Sequence, residues 1–257
     1  MASKPKRVAL ITGGSSGIGL EMAKQMTAEG ATVLIAGRDQ LKLDAAKKEI
    51  PGVEAIPCDI TDRDDRIGLS RLIENEYPSL NMLVNNAGRA QKYLLESTPN
   101  LEQHLDDEYQ LNLVAPFVLA QLLLPTLAKN DGTVVNVTTG LVYAPIMVEP
   151  SYCASKAALH SMTQSMRYRF EKLGIKVVEI LYPAVDTPFH DGHAPDIAIE
   201  PERAARLALR GLDKGKSEVR VHVVSQLHVL SRLAPRTTMR LINKVVPDDA
   251  EAILADH

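Results

Sequence analysis

The sequence predicts an α/β protein built on one doubly wound parallel sheet, and three observations carry that prediction. Short, mostly apolar runs recur along the chain, among them Val8-Ala9-Leu10-Ile11, Met82-Leu83-Val84 and Val177-Val178-Glu179-Ile180-Leu181, and read as strands buried on both faces. Between them lie longer segments with helical spacing, such as Ile18, Met22 and Met26. Glycines gather where the first strand gives way to the first helix. Regular alternation of this kind implies right-handed crossovers, with helices covering both faces of the sheet.

In chain order, strands are expected over residues 8–11, 32–36, 53–56, 82–84, 134–137 and 177–181, the fifth running on toward Thr138 and Thr139. The intervening helices are expected over 18–27, 39–49, 63–77, 101–111, 112–129 and 152–173. After Leu181 the character changes. Residues 182–200 carry three prolines, a glycine, His190, His193 and Phe189, and read as a long loop near the carboxyl ends of the strands, with 186–200 a lid over a ligand. Residues 201–214 form a helix with proline in its first turn, and 218–224 alternate like a last strand. The segment 226–246 reads as an amphipathic helix interrupted near Pro235: His228, Arg232, Arg236, Arg240 and Lys244 recur every fourth residue, while Leu227, Leu230, Leu233, Met239, Ile242 and Val246 hold another face.

Composition bounds the rest. A chain of 257 residues with 45% hydrophobic residues supports one domain spanning 1–257. A net charge of −3 gives no general reason to expect nucleic acid. Cys58 and Cys153 have neither disulfide-framework nor zinc-site spacing, so no metal is expected and free thiols suit a reducing compartment. The apolar run behind Lys4, Lys6 and Arg7 is too short for a signal segment or a membrane span, and a cytoplasmic location is expected. Over 226–257 the basic residues are balanced by Asp248, Asp249, Glu251 and Asp256, which sets packing against the domain or a sister subunit above membrane docking for the last helix.

Two constellations point to chemistry. Gly13, Gly17 and Gly19, between a strand and a helix, let the backbone turn tightly and approach a pyrophosphate at the helix N-terminus. At the end of the second strand, where an acidic residue would bind a ribose 2′-hydroxyl, stand Gly37 and Arg38; a guanidinium there pairs with a 2′-phosphate and favours NADP(H). Further on, Tyr152 and Lys156 lie four apart on a helix, so phenol and ammonium reach one small volume. A cation held close to a phenol favours tyrosinate, which makes Tyr152 a candidate proton donor and acceptor for an alcohol or ketone oxygen.

Taken together, Thr12-Gly13-Gly14-Ser15-Ser16-Gly17-Ile18-Gly19, Asn85-Asn86-Ala87-Gly88, Asn112, Thr139 and the Tyr152/Lys156 pair resemble the short-chain dehydrogenase/reductase family in order and spacing. The likeness spans about residues 7 to 190 and looks most like its DltE-like group of bacterial oxidoreductases. It implies a Rossmann-type fold and a homo-oligomer, a dimer or a tetramer. It also implies that Tyr152 is the general acid/base, that Lys156 lowers its pKa and holds the nicotinamide ribose, and that Asn112 anchors a water. Ser15, Ser16 and Ile18 would join the glycines at the pyrophosphate, Asp59 and Ile60 would lie at the adenine, and Asn86, Ala87 and Gly88 would close over the cofactor.

Two positions depart from the family pattern. Thr139 replaces the usual serine, keeping the hydroxyl but adding a methyl that stiffens χ1. Where the family has Pro-Gly-x-Val-x-Thr, this chain has Tyr182-Pro183-Ala184-Val185-Asp186-Thr187, so Pro183 removes an N–H beside the nicotinamide while Val185 and Thr187 are kept. Leu141, Val142, Tyr143, Ile146, Met147, Val148, Tyr182 and Phe189 are expected around an apolar substrate, with His190 and His193 available to a polar end. The expected activity is hydride transfer between NADP(H) and a carbonyl or secondary alcohol of a small molecule. The alternative is a nonenzymatic NADPH-binding sensor, which a lost tyrosine or lysine would favour; both are retained.

Overall fold

The computed structural model describes residues 6–96, 98–190, 192 and 194–244. Seven parallel strands form one sheet in the order β3-β2-β1-β4-β5-β6-β7. They are β1 (Val8–Thr12), β2 (Thr32–Gly37), β3 (Glu54–Pro57), β4 (Met82–Asn85), β5 (Thr133–Thr139), β6 (Lys176–Tyr182) and β7 (Glu218–Arg220). Along each central strand, alternate residues feed two separate cores. Ile11, Ile35, Val84, Val135 and Ile180 pack with Met22 and Met26 of α1 (Gly17–Ala28), with Leu43 of α2 (Gln40–Glu49) and with Ala204 and Ala208 of α8 (Pro201–Asp213). Leu10, Leu34, Leu83 and Val134 pack on the other face with Leu69 of α3 (Arg63–Glu76), Leu119 of α5 (Ala115–Leu122) and Met166 of α7 (Pro150–Glu171). The strand order reverses between β1 and β4, and the crevice opened at their carboxyl ends is where such sheets hold ligands.

Three departures from expectation have local causes. The stretch 101–129 is not two helices but α4 (Leu101–Tyr109), a π-helical turn (Gln110–Val114), α5 and α6 (Leu124–Lys129). Pro116 has no N–H to offer the carbonyl of Asn112, and Pro125 opens α6 in the same manner. β7 stops at Arg220 rather than reaching residue 224, because His222 adopts φ +52° and turns the chain into the next helix. The long helix α7 begins at Pro150, in the first-turn position proline tolerates, with Glu149 at its N-cap. The C-terminal segment forms α9 (Val224–Leu233) and α10 (Pro235–Asn243), parted at the expected proline; residues 245 and 246 of the expected helix lie outside the described residues.

Candidate active site

The turn after β1 is shaped for close backbone approach. Gly13 has φ +64° and Gly17 φ +54°, the left-handed region that favours glycine. A Cβ at Gly19 would lie 2.5 Å from the Asn86 amide nitrogen and from the Gly13 carbonyl oxygen, so this helix start packs directly on the β4 turn. Asn86 Nδ2 donates to Thr12 O at 3.0 Å and Gly13 O at 3.3 Å, and the backbone N–H groups of Asn86 and Ala87 both donate to Thr12 Oγ1 at 3.1 Å. The two turns therefore form one cradle. Ser16, the N-cap of α1, makes no side-chain cap bond, which leaves the first N–H groups of the helix to a ligand. Ser15 Oγ lies 3.3 Å from where a Gly37 Cβ would stand, and Ile18 is half-buried against the core. These features fit a nucleotide pyrophosphate.

At the end of β2, Arg38 is 73% exposed and its guanidinium stands 4.0 Å from the Asp59 carboxylate. Burial alone would raise the Asp59 carboxyl, but hydrogen bonds from Thr61 and the Arg38 and Arg66 charges hold it below the usual range. Ile60 is buried in the core, and its carbonyl accepts from Arg66 Nη1 at 2.6 Å.

The β5 end, the π-helical turn and α7 converge beside this cradle. Asn112 is fully buried; Nδ2 donates to Arg89 O (2.9 Å) and Ser155 Oγ (3.1 Å), and Oδ1 accepts from Arg89 N (3.0 Å). Its carboxamide thus clamps the strand of chain that leaves Gly88, where a Cβ would lie 3.1 Å from Asn112 Oδ1 and 3.3 Å from Lys156 Nζ. Lys156, 4% exposed, donates to Val137 O at 2.9 Å, and burial lowers its ammonium to about 8, with Glu108 and Glu179 opposing. Tyr152 is buried one turn before it.

The expected lowering of the Tyr152 phenol by Lys156 is corrected by this arrangement. Burial pushes the phenol well above its usual range, Glu149 adds to that, and the hydrogen bond with Thr139 opposes it. Lys156 instead directs its ammonium to the Val137 carbonyl. Tyr152 is therefore a protonated phenol across the neutral range, suited to donating a proton. Thr138 and Thr139 point apart, as strand alternation requires. Thr139 caps the 3-10 turn Gly140–Val142 through Oγ1, which accepts from Leu141 N at 3.2 Å, whereas Thr138 Oγ1 donates to the buried Glu179 carboxylate at 2.6 Å.

The lid crosses both halves of the site. Its base is pinned by a bridge between Val185 and Ile199, with Asp186 N donating to Ile199 O and Ile199 N to Ala184 O. Val185 spends its side chain in the core, and Thr187 packs 3.3 Å from where a Gly17 Cβ would stand. Pro183 is half-buried between β6 and this base. The Phe189 ring lies 5.6 Å from the Tyr152 ring, and His190 follows it at 5.5 Å. His193 falls outside the described residues.

Two residues expected around the substrate go elsewhere. Tyr182 is buried with its hydroxyl 3.7 Å from Met22 Sδ, because its strand position faces α1. Tyr143 turns its ring edge toward His160 and His228 and its hydroxyl to Arg220 Nε at 3.1 Å. Conversely, two buried carboxylates near Tyr152 went unread. Glu108 accepts from Gln91 N at 2.6 Å and from the Ser151 hydroxyl; Glu149 is buried at the start of α7. Glu108 lies in a charged run that gives no hint of burial, but Glu149 is the lone charge in an apolar stretch, a signal that was there to read. Among the described residues no cluster of metal-ligating side chains occurs.

A family model described as short chain dehydrogenase matches residues 7–197. The uncharacterised oxidoreductase DltE of Bacillus subtilis is 40% identical over 217 residues, covering 82% of this chain and 86% of that one. A fatty acyl-CoA reductase of Acinetobacter baylyi is 32% identical over 239 residues, covering 89% and 80%. Among solved structures, a short chain dehydrogenase from Burkholderia cenocepacia in complex with NADP superposes with a TM-score of 0.82 at 21% identity, covering 94% of this chain and 98% of that one. At that identity the likeness concerns the fold.

Proposed function

The chain belongs to the short-chain dehydrogenase family, in its DltE-like branch, and from that premise we propose that it is an oxidoreductase moving a hydride between NADP(H) and the carbonyl or secondary alcohol of a mostly apolar small molecule. One observation carries the reading: a buried phenol, Tyr152, and a buried ammonium, Lys156, one helical turn apart beside a glycine cradle, with Thr139 bonded to the phenol and Phe189 over it. Gly13, Ser15, Ser16, Gly17, Ile18 and Gly19 would hold the pyrophosphate, Arg38 the 2′-phosphate, Asp59 and Ile60 the adenine end, and Asn86 to Gly88 with Pro183, Val185 and Thr187 the nicotinamide end. The nicotinamide supplies the hydride when bound.

The residues of the chain do the rest. Thr139 and Tyr152 orient a carbonyl oxygen with two hydroxyl groups, and Tyr152 gives its proton to that oxygen as the carbonyl carbon receives the hydride; in the reverse direction the phenolate takes the alcohol proton. Lys156 and, through a water, Asn112 would serve the return of a proton to Tyr152. Phe189, exposed on the lid with its ring 5.6 Å from that of Tyr152, and the apolar residues after Thr139 would cover a bound substrate, and such a lining suits an apolar substrate better than a charged one. The acyl-chain chemistry in the name of the Acinetobacter relative agrees with that class.

The test is NADPH oxidation against a panel of ketones, aldehydes and quinones, with Tyr152→Phe as control. The variant keeps the ring and its packing, so NADPH binding persists while kcat drops about 10²- to 10⁴-fold. A variant holding more than about a tenth of wild-type kcat is incompatible with Tyr152 as the proton donor.

A further inference from the structure

The loop from the 3-10 turn Gly140–Val142 to Pro150 joins the strand that ends in Thr139 to the helix that carries Tyr152, so on the proposed reading of the site it forms the substrate-side wall. A loop of this kind has backbone groups that no sheet or helix satisfies, and each needs a partner. Val148 O accepts from Tyr93 N at 3.0 Å, and Ile146 O lies 4.0 Å from Cys153 Sγ. Two further groups of the loop, Met147 N and Pro145 O, are met by a single side chain from the far C-terminal part of the chain. Asn243, the last residue of α10, accepts from Met147 N through Oδ1 at 2.7 Å and donates through Nδ2 to Pro145 O at 3.1 Å.

A carboxamide offers a donor and an acceptor on one planar group, so Asn243 pairs with the loop as a neighbouring strand would. Its orientation is set from behind, because Nδ2 also donates to Met239 O, one turn earlier in α10, at 2.9 Å. The helices themselves ride on the same stretch of chain: Val224 and Leu227 of α9 come within 3.3 Å of where a Gly140 Cβ would stand, and His228 packs 4.6 Å from the Tyr143 ring. The loop is thus bound at its beginning by α9 and at its middle by α10, while its far end runs into the helix that carries Tyr152.

We infer that Asn243 is a positioning residue for substrate: its carboxamide fastens Pro145 to Met147 onto α10 and so sets how far this wall stands from Tyr152. The inference rests on the reading of the cleft beside Tyr152 as the substrate site. It gives the C-terminal helix pair a task in substrate recognition, exerted through the loop and not through contact with the reacting atoms. Cofactor binding, which uses the opposite side of the crevice, is independent of it.

Two variants of the full-length protein test this. Asn243→Leu keeps the volume and removes both bonds; Asn243→Asp keeps the acceptor and sets a carboxylate against the Pro145 carbonyl. The first readout needs no substrate. Cys153 is buried beneath Ile146, whereas Cys58 is buried in the core behind β3, so the rate of maleimide alkylation of each, followed by peptide mass spectrometry in one sample, reports on the loop with an internal control. Both variants are expected to speed alkylation of Cys153 about tenfold and leave Cys58 unchanged, the factor that corresponds to the net worth of about one hydrogen bond. The second readout is kinetic: KM for the reducible carbonyl compound rises roughly five- to twentyfold, with kcat and the Kd for NADPH close to wild type.

Unchanged Cys153 alkylation overturns the inference, as does faster alkylation with an unchanged KM. A parallel rise in Cys58 alkylation and in the Kd for NADPH also overturns it, since that pattern means general loosening. If the wild-type protein reduces none of the carbonyl compounds, the proposed activity fails, and Cys153 alkylation still decides whether Asn243 holds the loop.

Discussion

Glu149 sits buried three residues before Tyr152, and loss of water raises its carboxyl to about 7, with Lys92 opposing and Glu108 reinforcing. A folded-state value above the ordinary 4.5 means that the folded protein binds the proton more tightly than the unfolded chain. The stabilisation is therefore full below about 4.5 and is lost as pH rises through about 7. Glu149→Gln, a neutral isostere at every pH, should match wild type in urea unfolding at pH 5 and exceed it at pH 8 by on the order of 2–3 kcal/mol. Equal gaps at both pH values would mean that the carboxyl does not titrate in this range. At the other end of the crevice, Arg38 is exposed and the Asp59 carboxylate stands 4.0 Å from it, so its guanidinium remains available to a phosphate. Arg38→Asp should lower kcat/KM for NADPH by about 10- to 100-fold, the worth of a charge-assisted contact, and leave NADH equal or improved. A wild-type protein that uses both cofactors equally refutes the assignment.

At the scale of single elements, β5 delivers adjacent threonines to different tasks. Thr139→Ala should cost turnover by removing a hydroxyl bonded to Tyr152, and Thr139→Ser should be tolerated. Thr138→Ala should leave kcat near wild type and instead destabilise the fold by about 1–3 kcal/mol, because Glu179 loses a buried donor; thermal melts beside kinetics separate the two. If Thr138→Ala is the inactive variant, the strand has been read one residue out of step. This division was legible beforehand, since period 2 allows only one of two neighbours to face the cleft. The same rule, pursued one strand further, shows what pattern alone misses: Tyr182 has an aromatic ring at the right distance along β6, yet its side chain meets Met22 of α1. Which face a terminal strand residue takes depends on the helix packed there, and that packing is tertiary. The break in the helix at Asn112 was legible in the sequence, but its form as a π-helical turn was not, because hydrogen-bond slippage leaves no mark on residue spacing.

The whole molecule is a sheet whose order and two cores follow from alternating apolar strands and amphipathic helices, and the architecture was accordingly the most legible feature. The C-terminal helix pair was legible as amphipathic but not as to what it packs against. No helix among the described residues is long and apolar enough to cross a membrane. Leu230, Leu233 and Leu241 remain exposed on α9 and α10, and we propose that this face packs in a homo-oligomer, a dimer or a tetramer. Truncation after Ser225 should lower the mass seen in light scattering or raise KM, and full-length protein should stay in the supernatant with anionic vesicles. Strong vesicle binding that truncation abolishes, with mass and kinetics unchanged, would assign the face to a lipid surface instead.

The bridge between Val185 and Ile199 makes the lid a closed loop whose two ends enter the domain at one point. Closure entropy grows only with the logarithm of loop length, about 0.6 kcal/mol for each doubling, so the excursion can lengthen, shorten or change composition at little cost to folding. With Phe189 on that excursion and Tyr152 beneath it on a rigid helix, substrate choice and chemical step reside in parts of the chain under different constraints. Evolution, or an engineer, can thus exchange one lid for another as a cassette while the proton donor stays where it is.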